Sequence, residues 1–363
     1  MFQVITFLIR QLRITTIFII AILAPIGLSS CRLWRTTDSS SPNIKVQFID
    51  AKTGWIVGPK LIHTNDGGVN WSVVNNNNDY SRKTRYDLAE YSLKRVQFIT
   101  SQVGWILGEN EKAGKIVKTV DGGKTWPYEF DLPQNQDDTY LRPTFFFLTT
   151  ETGWFISSNI YRTKDGGMTW EILCRTPGVT SGGPSGILWF INSEHGILGA
   201  RDKSIYITLD GGKTWDSTYK ASSYIYDIFF YNNNFGWVVG SDGNIVRSVD
   251  GGLTWEKSQV PTVPHLYSVF FITPELGWAV GRTGTAVKEE SNILYSVDGG
   301  ATWQESIVKG LSYPLPTLVS VSFTDNLHGW AVGGADKYFP SGPRNLIIYT
   351  IDGGKTWNPT SLR

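Results

Sequence analysis

The chain is poor in the residues that most often carry chemistry. Its 363 residues include two cysteines, two methionines and four histidines. Two cysteines, Cys31 and Cys174, are too few for a disulfide framework. The histidines (His63, His195, His265 and His328) are scattered, and no Cys-x-x-Cys, His-Glu-x-x-His or His-rich cluster is present. No metal site is therefore expected. An excess of one charge is missing too: 33 basic residues stand against 32 acidic ones, a net +1, and losing Arg10 and Arg13 with the first thirty residues would leave 31 against 32. That balance argues against a nucleic-acid partner and against a polybasic membrane surface. There is no Gly-x-Ser-x-Gly elbow and no Walker-type loop, so no cofactor is expected. No stretch sustains a 3.6-residue apolar period, so helices are not expected either.

Glycine and tryptophan are what the chain has in quantity: 38 and 15 residues. Glycine at that level implies many tight turns. Tryptophan at that level implies one aromatic position used many times. Both have the same source, a repeat of the form Asp-Gly-Gly-x-x-Trp. Its seven copies run Asp66 to Trp71, Asp121 to Trp126, Asp165 to Trp170, Asp210 to Trp215, Asp250 to Trp255, Asp298 to Trp303 and Asp352 to Trp357. Six keep Thr before the Trp, and the first has Asn70 there. Two residues before each Asp stands Thr64, Thr119, Thr163, Thr208, Ser248, Ser296 or Thr350. Box-to-box spacing is 40 to 55 residues, close to the length of a propeller blade.

A second element precedes each box. It is Gly-Trp followed by an apolar run, at Trp55, Trp105, Trp154, Trp237, Trp278 and Trp330, with Gly196-Ile197 in the fourth unit. Thirteen of the fifteen tryptophans lie in these two elements. In the first unit, Lys45 to Ile49, Trp55 to Val57, Leu61 to Thr64 and Trp71 to Val74 read as short strands A to D, β-branched or aromatic and bounded by Gly, Asn and Asp. Seven such units predict an all-β fold, a seven-bladed β-propeller of four-stranded antiparallel blades over residues 44–363. The box fills the C–D turn. Its Asp accepts backbone N–H groups, its glycines take positive φ, and its Trp packs on the same turn or the neighbouring blade. The Asp and Trp of every box are accordingly assigned to structure.

The first thirty residues read as an export signal. Met1 to Arg13 is basic, Ile14 to Leu23 is apolar, and small residues follow. Leu28-Ser29-Ser30-Cys31 resembles a bacterial lipobox, which implies lipid attachment at Cys31. An uncleaved anchor and an ordinary cleaved signal remain as alternatives; the apolar run is short for the first. Residues 31–43, rich in Ser and Thr, read as a tether.

Boxes of the form Ser/Thr-x-Asp-Gly-Gly-x-Thr-Trp are the Asp-box, or bacterial neuraminidase, repeat. Paired with Gly-Trp-x-x-Gly (Trp55 to Gly58, Trp105 to Gly108, Trp237 to Gly240, Trp278 to Gly281, Trp330 to Gly333), they make the chain resemble the photosystem II stability and assembly factors over about residues 44–357. The resemblance implies a non-enzymatic, thylakoid-associated protein that escorts early photosystem II subunits through a basic patch. The expected place is the lumenal side of a thylakoid or the periplasmic face of a bacterial membrane. A contiguous arginine patch on one blade has no clear counterpart in this sequence.

With the boxes on the face of the A–B and C–D turns, recognition should favour the opposite face. Its candidate binding residues are Arg82, Lys83 and Arg85 between blades one and two, with Lys94 and Arg95 ending that crossover. Arg201 beside Asp202 and Lys203 in blade four, Arg282 and Lys288 beside Glu289 and Glu290 in blade six, and Lys337 and Arg344 in blade seven complete the set. Together they can form a basic rim for an acidic or extended peptide. The rival class is a glycosidase. A sialidase needs an arginine triad, and a two-carboxylate hydrolase needs acids held a fixed distance apart; Glu109, Glu111, Asp202, Glu289, Glu290 and Asp336 are available but not placed by sequence. A cell-envelope adhesion protein is a third reading. Cys174 reads as a small apolar residue rather than a reactive thiol.

Overall fold

The computed structural model describes residues 44–58, 60–74, 92–109, 114–132, 144–178, 186–261, 265–285, 288–308, 317–334 and 345–359. The chain divides into two units, Met1–Cys31 and Arg32–Arg363. The first, with Cys31 and the segment expected to be an export signal, lies outside the described residues, as do the expected tether, Arg82, Lys83, Arg85, Lys337 and Arg344. Among the described residues there is no helix, and so none long and apolar enough to cross a membrane.

The second unit is a seven-bladed propeller. Each blade is an antiparallel meander of four consecutive strands, A to D. The inner A strands are Lys45–Phe48, Ser92–Phe98, Thr144–Phe147, Ile187–Phe190, Ile225–Phe230, His265–Phe271 and Thr317–Phe323. Strand B is buried along its whole length in Gly54–Val57, Gly153–Ile156, Gly196–Gly199 and Gly236–Gly240. That is why it reads as an unbroken apolar run, the mark of a strand covered on both faces. Strand D lies at the rim and is the most exposed of the four, as in Glu256–Lys257 and Asp216–Lys220.

Every A strand ends in phenylalanine, a repeat element that the sequence reading did not isolate. The Phe pairs in register with the glycine of Gly-Trp, as Phe48 does with Gly54. A Cβ on Gly54 would come within 2.7 Å of the Phe48 ring, so only glycine lets the ring lie flat there. The Gly-Trp indole of one blade then stacks on the Phe of the next. Trp55 meets Phe98, Trp105 meets Phe147, Trp154 meets Phe190, Trp237 meets Phe271, Trp278 meets Phe323 and Trp330 meets Phe48, with centroids 3.4 to 4.1 Å apart. The box Trp of that next blade closes on the same Phe edge-on, as Trp215 does on Phe190 at 6.1 Å. Each such aromatic pair is worth about 0.5–1.5 kcal/mol beyond its buried area. Indole N–H groups lock the arrangement: Trp105, Trp154, Trp237 and Trp278 donate to the first box glycine carbonyl of the next blade at 2.8–3.0 Å. The seam between blades four and five has Ile197 in the place of the indole, packed with Phe230 and Trp255.

In blades one, two, three and six the inner edge of the A strand is stitched by side chains of the preceding blade. Gln47 accepts from the Phe98 N–H and donates to the Phe98 carbonyl, at 2.8 and 2.9 Å. Gln97 does the same for Phe147. Ser320 and Ser322 of blade seven accept from the Val46 and Phe48 N–H groups of blade one, at 3.2 and 3.3 Å. Blades one and seven therefore meet by packing and stitching, each sheet being built from consecutive strands. At the rim, strand Ile307–Val308, which follows blade six, pairs in parallel with strand D of blade seven, Thr356–Pro359.

Two strand boundaries differ from the sequence reading. Lys94 and Arg95 belong to the A strand of blade two rather than to a crossover loop. Arg282 and Lys288 lie in a long hairpin, Gly277–Thr285 paired with Lys288–Ser296, rather than in a loop. The physical reason is that the hairpin extends its ladder from Gly277↔Ser296 to Thr285↔Lys288, so backbone groups pair almost to its tip.

Candidate functional site

Each box carboxylate is committed to its own turn. In the third box, the Thr163 hydroxyl donates to Asp165 Oδ1 at 2.8 Å and accepts from the Gly167 N–H at 2.8 Å. The Thr169 N–H and hydroxyl both donate back to Asp165, at 2.9 and 2.5 Å. The other six boxes repeat this, with Asn70 standing in for threonine in the first. Burial alone would raise these carboxyls, but the hydrogen bonds outweigh it and hold all seven below their ordinary value. Both glycines take positive φ, 73° and 81° at Gly67 and Gly68. The first glycine N–H donates to the A–B turn of its own blade, as Gly67 does to the Lys52 carbonyl at 2.9 Å. A–B and C–D turns thus share one face, and the opposite face holds the starts of the A strands.

Two side chains of each A strand, one and three residues before the terminal Phe, form two rings of positions around the channel. The ring toward the boxes is Gln47, Gln97, Phe146, Trp189, Phe229, Phe270 and Ser322. Phe146, Trp189, Phe229 and Phe270 touch in sequence, with centroids 5.1 to 5.3 Å apart. Trp189 is the one tryptophan outside the repeat among the described residues. The ring nearer the opposite mouth is Lys45, Arg95, Thr144, Ile187, Asp227, Ser268 and Ser320. Burial pushes the Lys45 ammonium below its ordinary value; Asp227 pulls it back and Arg95 pushes it further down. Burial likewise lowers the Arg95 guanidinium, against the pull of Asp227.

Beside this outer ring, Tyr226 and Tyr267 stack at 5.1 Å. Burial raises the Tyr226 phenol, while Ser241 and Arg282 act the other way. Next to them the Asp242 N–H donates to His265 Nδ1 at 3.3 Å. In blade four the Lys203 ammonium lies over the Tyr224 ring at 5.2 Å, and Asp202 is engaged by Ser204, Tyr206 and Lys220. Arg201 and Arg282 are both half-buried on this side. The predicted basic set is therefore placed only in part: Arg201 and Arg282 with their side chains, Lys288 by its backbone. Lys45, Arg95 and Asp227 do converge on the channel. Their signal in the sequence was their place three residues before the A-strand Phe, invisible until that Phe is recognised as a repeat.

The box face is less feature-rich. It exposes aliphatics between the hydroxyl residue and the Asp of several boxes (Val120, Leu209, Val249, Val297 and Ile351). They are singly spaced from blade to blade, which is ordinary for a surface. Among the described residues no cluster of His, Cys, Asp and Glu could hold a metal ion. Cys174 is half-buried, with its thiol on the Gly212 carbonyl at 3.3 Å, and burial followed by the Asp210 charge raises it, leaving it a poor nucleophile.

Known proteins agree with this architecture. A family model described as Photosynthesis system II assembly factor YCF48 matches residues 29–182, 87–222, 217–282 and 254–363. No curated protein matches the chain in sequence. Among solved structures, YCF48 bound to a D1 peptide is 22% identical, with 87% of this chain and 94% of that one covered and a TM-score of 0.59. YCF48 from Cyanidioschyzon merolae is 20% identical, with 88% and 97% covered and a TM-score of 0.61. The GH74 xyloglucanase from Xanthomonas campestris is 11% identical with a TM-score of 0.64, covering 89% of this chain but 55% of its own. At these identities the structures show a shared fold. The family model reaches further, because its matches run from residue 29 through all seven blades, and the chain belongs to the photosynthesis system II assembly factor YCF48 family.

Proposed function

We propose that this protein is a non-enzymatic, lipid-anchored assembly factor that captures a segment of a photosystem II subunit on the face opposite the boxes. The family match over the whole propeller carries this reading. A relative of the same fold in complex with a D1 peptide supports a peptide as the form of the client. Lipid at Cys31 would hold the propeller at the lumenal or periplasmic face of its membrane. Arg82, Lys83, Arg85, Lys337 and Arg344, with Arg201, Arg282 and Lys288, would supply a basic rim. The fourteen channel positions hold a single carboxylate, Asp227, whose Oδ2 accepts the Val269 N–H at 3.1 Å. A two-carboxylate glycosidase needs a facing pair, so the channel itself favours binding over hydrolysis.

A crosslinked capture from native membranes with the lipidated chain as bait tests the reading. Photosystem II reaction-centre subunits should be recovered, and replacing Arg82, Lys83 and Arg85 together by Ala should weaken recovery without lowering the melting temperature. Labelled palmitate should enter the wild type and not Cys31→Ser. Recovery of no photosystem II subunit would sink the assembly role, and equal labelling of both proteins would sink the anchor.

A further inference from the structure

At the outer ring of the channel, the residue three before the A-strand Phe stitches a seam in blades five and seven. Ser320 accepts the Val46 N–H of the next blade, and Asp227 accepts the Val269 N–H of its next blade. Blades one and two have Lys45 and Arg95 at that position. An ammonium and a guanidinium only donate hydrogen bonds, so neither can make the stitch. The two cations stand on neighbouring blades, each half-buried, and the partial loss of solvent disfavours the charged form of each. The Lys45 ammonium has the Val319 carbonyl at 3.4 Å, a dipole rather than a counter-charge. Arg95 lies over the Phe145 ring at 5.9 Å, and its buried Nε has no partner. Asp227 sits three blades further on from Arg95, turned along the wall to Val269, and makes no ion pair with either cation among the described residues. Asp227 attracts both charges but pairs with neither, so a second anion placed between the two half-buried cations would be favoured.

One layer deeper lies the arc of Phe146, Trp189, Phe229 and Phe270. Two residues of strand separate the layers, about 6.6 Å. Across the channel from the arc, the amides of Gln47 and Gln97 are used up on backbone. The channel therefore presents a pair of cations on one wall and, one layer deeper on the facing wall, an apolar belt.

We propose that this channel binds an amphipathic carboxylate, its carboxylate between Lys45 and Arg95 and its aromatic or branched apolar group on the belt around Trp189. The site is separate from any capture on the outer rim and stands or falls independently of it. Two sources carry this chemistry, a free small acid and a carboxylate borne by a peptide.

Calorimetric titration of the full chain distinguishes them. The probes are N-acetylphenylalanine, its neutral amide, sodium acetate, and an N-acetylated hexapeptide of five alanines ending in phenylalanine with a free carboxylate. N-acetylphenylalanine or the hexapeptide should bind at least about tenfold tighter than the amide and than acetate. Lys45→Met and Arg95→Met should each remove that discrimination. Asp227→Asn should strengthen binding severalfold, because the opposing charge is gone while the amide oxygen still accepts the Val269 N–H. Arg95→Met should also melt no lower than the wild type, since a half-buried charge whose Nε has no partner has been removed. Binding of the small acid assigns a free ligand, and binding of the hexapeptide alone assigns a partner segment; either supports the site. Equal binding of acid and amide, equal binding of acetate, or an unchanged Asp227→Asn would overturn it, and the last holds even if the methionine variants fold poorly.

Discussion

The seam between blades four and five suggests an experiment built from the protein's own variation. There, Ile197 replaces the stacked indole found at the other six seams. Trp154→Ile would copy that seam into the junction of blades three and four. Trp154 is fully buried, lies 3.5 Å from Phe190 at an interplanar angle of 6°, and donates to the Gly211 carbonyl at 2.9 Å. Losing that donor leaves a buried carbonyl unpaired, at about 1–3 kcal/mol. The stacked pair accounts for about 0.5–1.5 kcal/mol more. Isoleucine refills part of the space, so the full cavity cost of about 3–5 kcal/mol for removing a buried tryptophan is not reached. The expected loss is about 2–4 kcal/mol.

Urea unfolding followed by far-ultraviolet dichroism measures it, with the slope against denaturant checked for two-state behaviour. Trp154→Phe is the control, keeping a ring without the N–H. It should fall between wild type and Trp154→Ile. A loss below about 1 kcal/mol for Trp154→Ile would refute the view that the stacked indole and its hydrogen bond tie blade to blade.

Two further outcomes follow from the boxes. Thr163→Val keeps the shape of the side chain but removes its bond to Asp165 and leaves the buried Gly167 N–H unpaired; it should cost about 2 kcal/mol, and Thr163→Ser should restore most of it because Ser248 and Ser296 do the same work in blades five and six. Equal stability of the valine and wild-type proteins in urea would count against the hydroxyl as the keystone of the turn. The pH profile has a definite sign: the folded-state pKa of every box Asp is depressed, Asp210 from 3.8 to about 2, so their contribution is complete above the ordinary carboxylate range and is lost as pH falls through that window. Urea midpoints should be flat near pH 5 and drop steeply between about pH 4 and pH 2; a midpoint that holds through that interval would contradict the hydrogen-bond network.

The blade plan was legible because its signals are local. Asp, two glycines and Trp within six residues specify a turn whatever surrounds them, and the interval between boxes counts the blades. The seams were not legible to the same degree. Trp154 and Phe190 meet across blades, and nothing in the run Thr-Phe-Phe-Phe of blade three says which of Phe145, Phe146 and Phe147 faces a neighbour, the channel or an indole; only the pairing register of strand A with strand B decides it. The candidate site suffered from the same gap. Arg95 read as the end of a charged crossover because Lys94 and Arg95 follow a polar stretch, whereas a bulge at Leu93/Arg95 within strand A sets Arg95 in line with Lys45 and Asp227. Loop cations such as Arg201 were easier to name, since a charge between two short strands stands out without any knowledge of register.

Ring closure has a kinetic consequence. Gln47 reaches Phe98 across 51 residues, and the other junctions between consecutive blades join comparably near neighbours, but the Ser320 and Ser322 hydroxyls meet Val46 and Phe48 across 274. In equilibrium terms that longer loop adds only about 1.5 kcal/mol of closure entropy. In time it matters more, because six junctions can assemble locally and in any order while the seventh must wait for all of them. An incomplete molecule is thus an open crescent whose unmatched ends are the inner edge of blade one and the hydroxyls of blade seven, and the residues that finish folding last are the same ones that make the channel continuous.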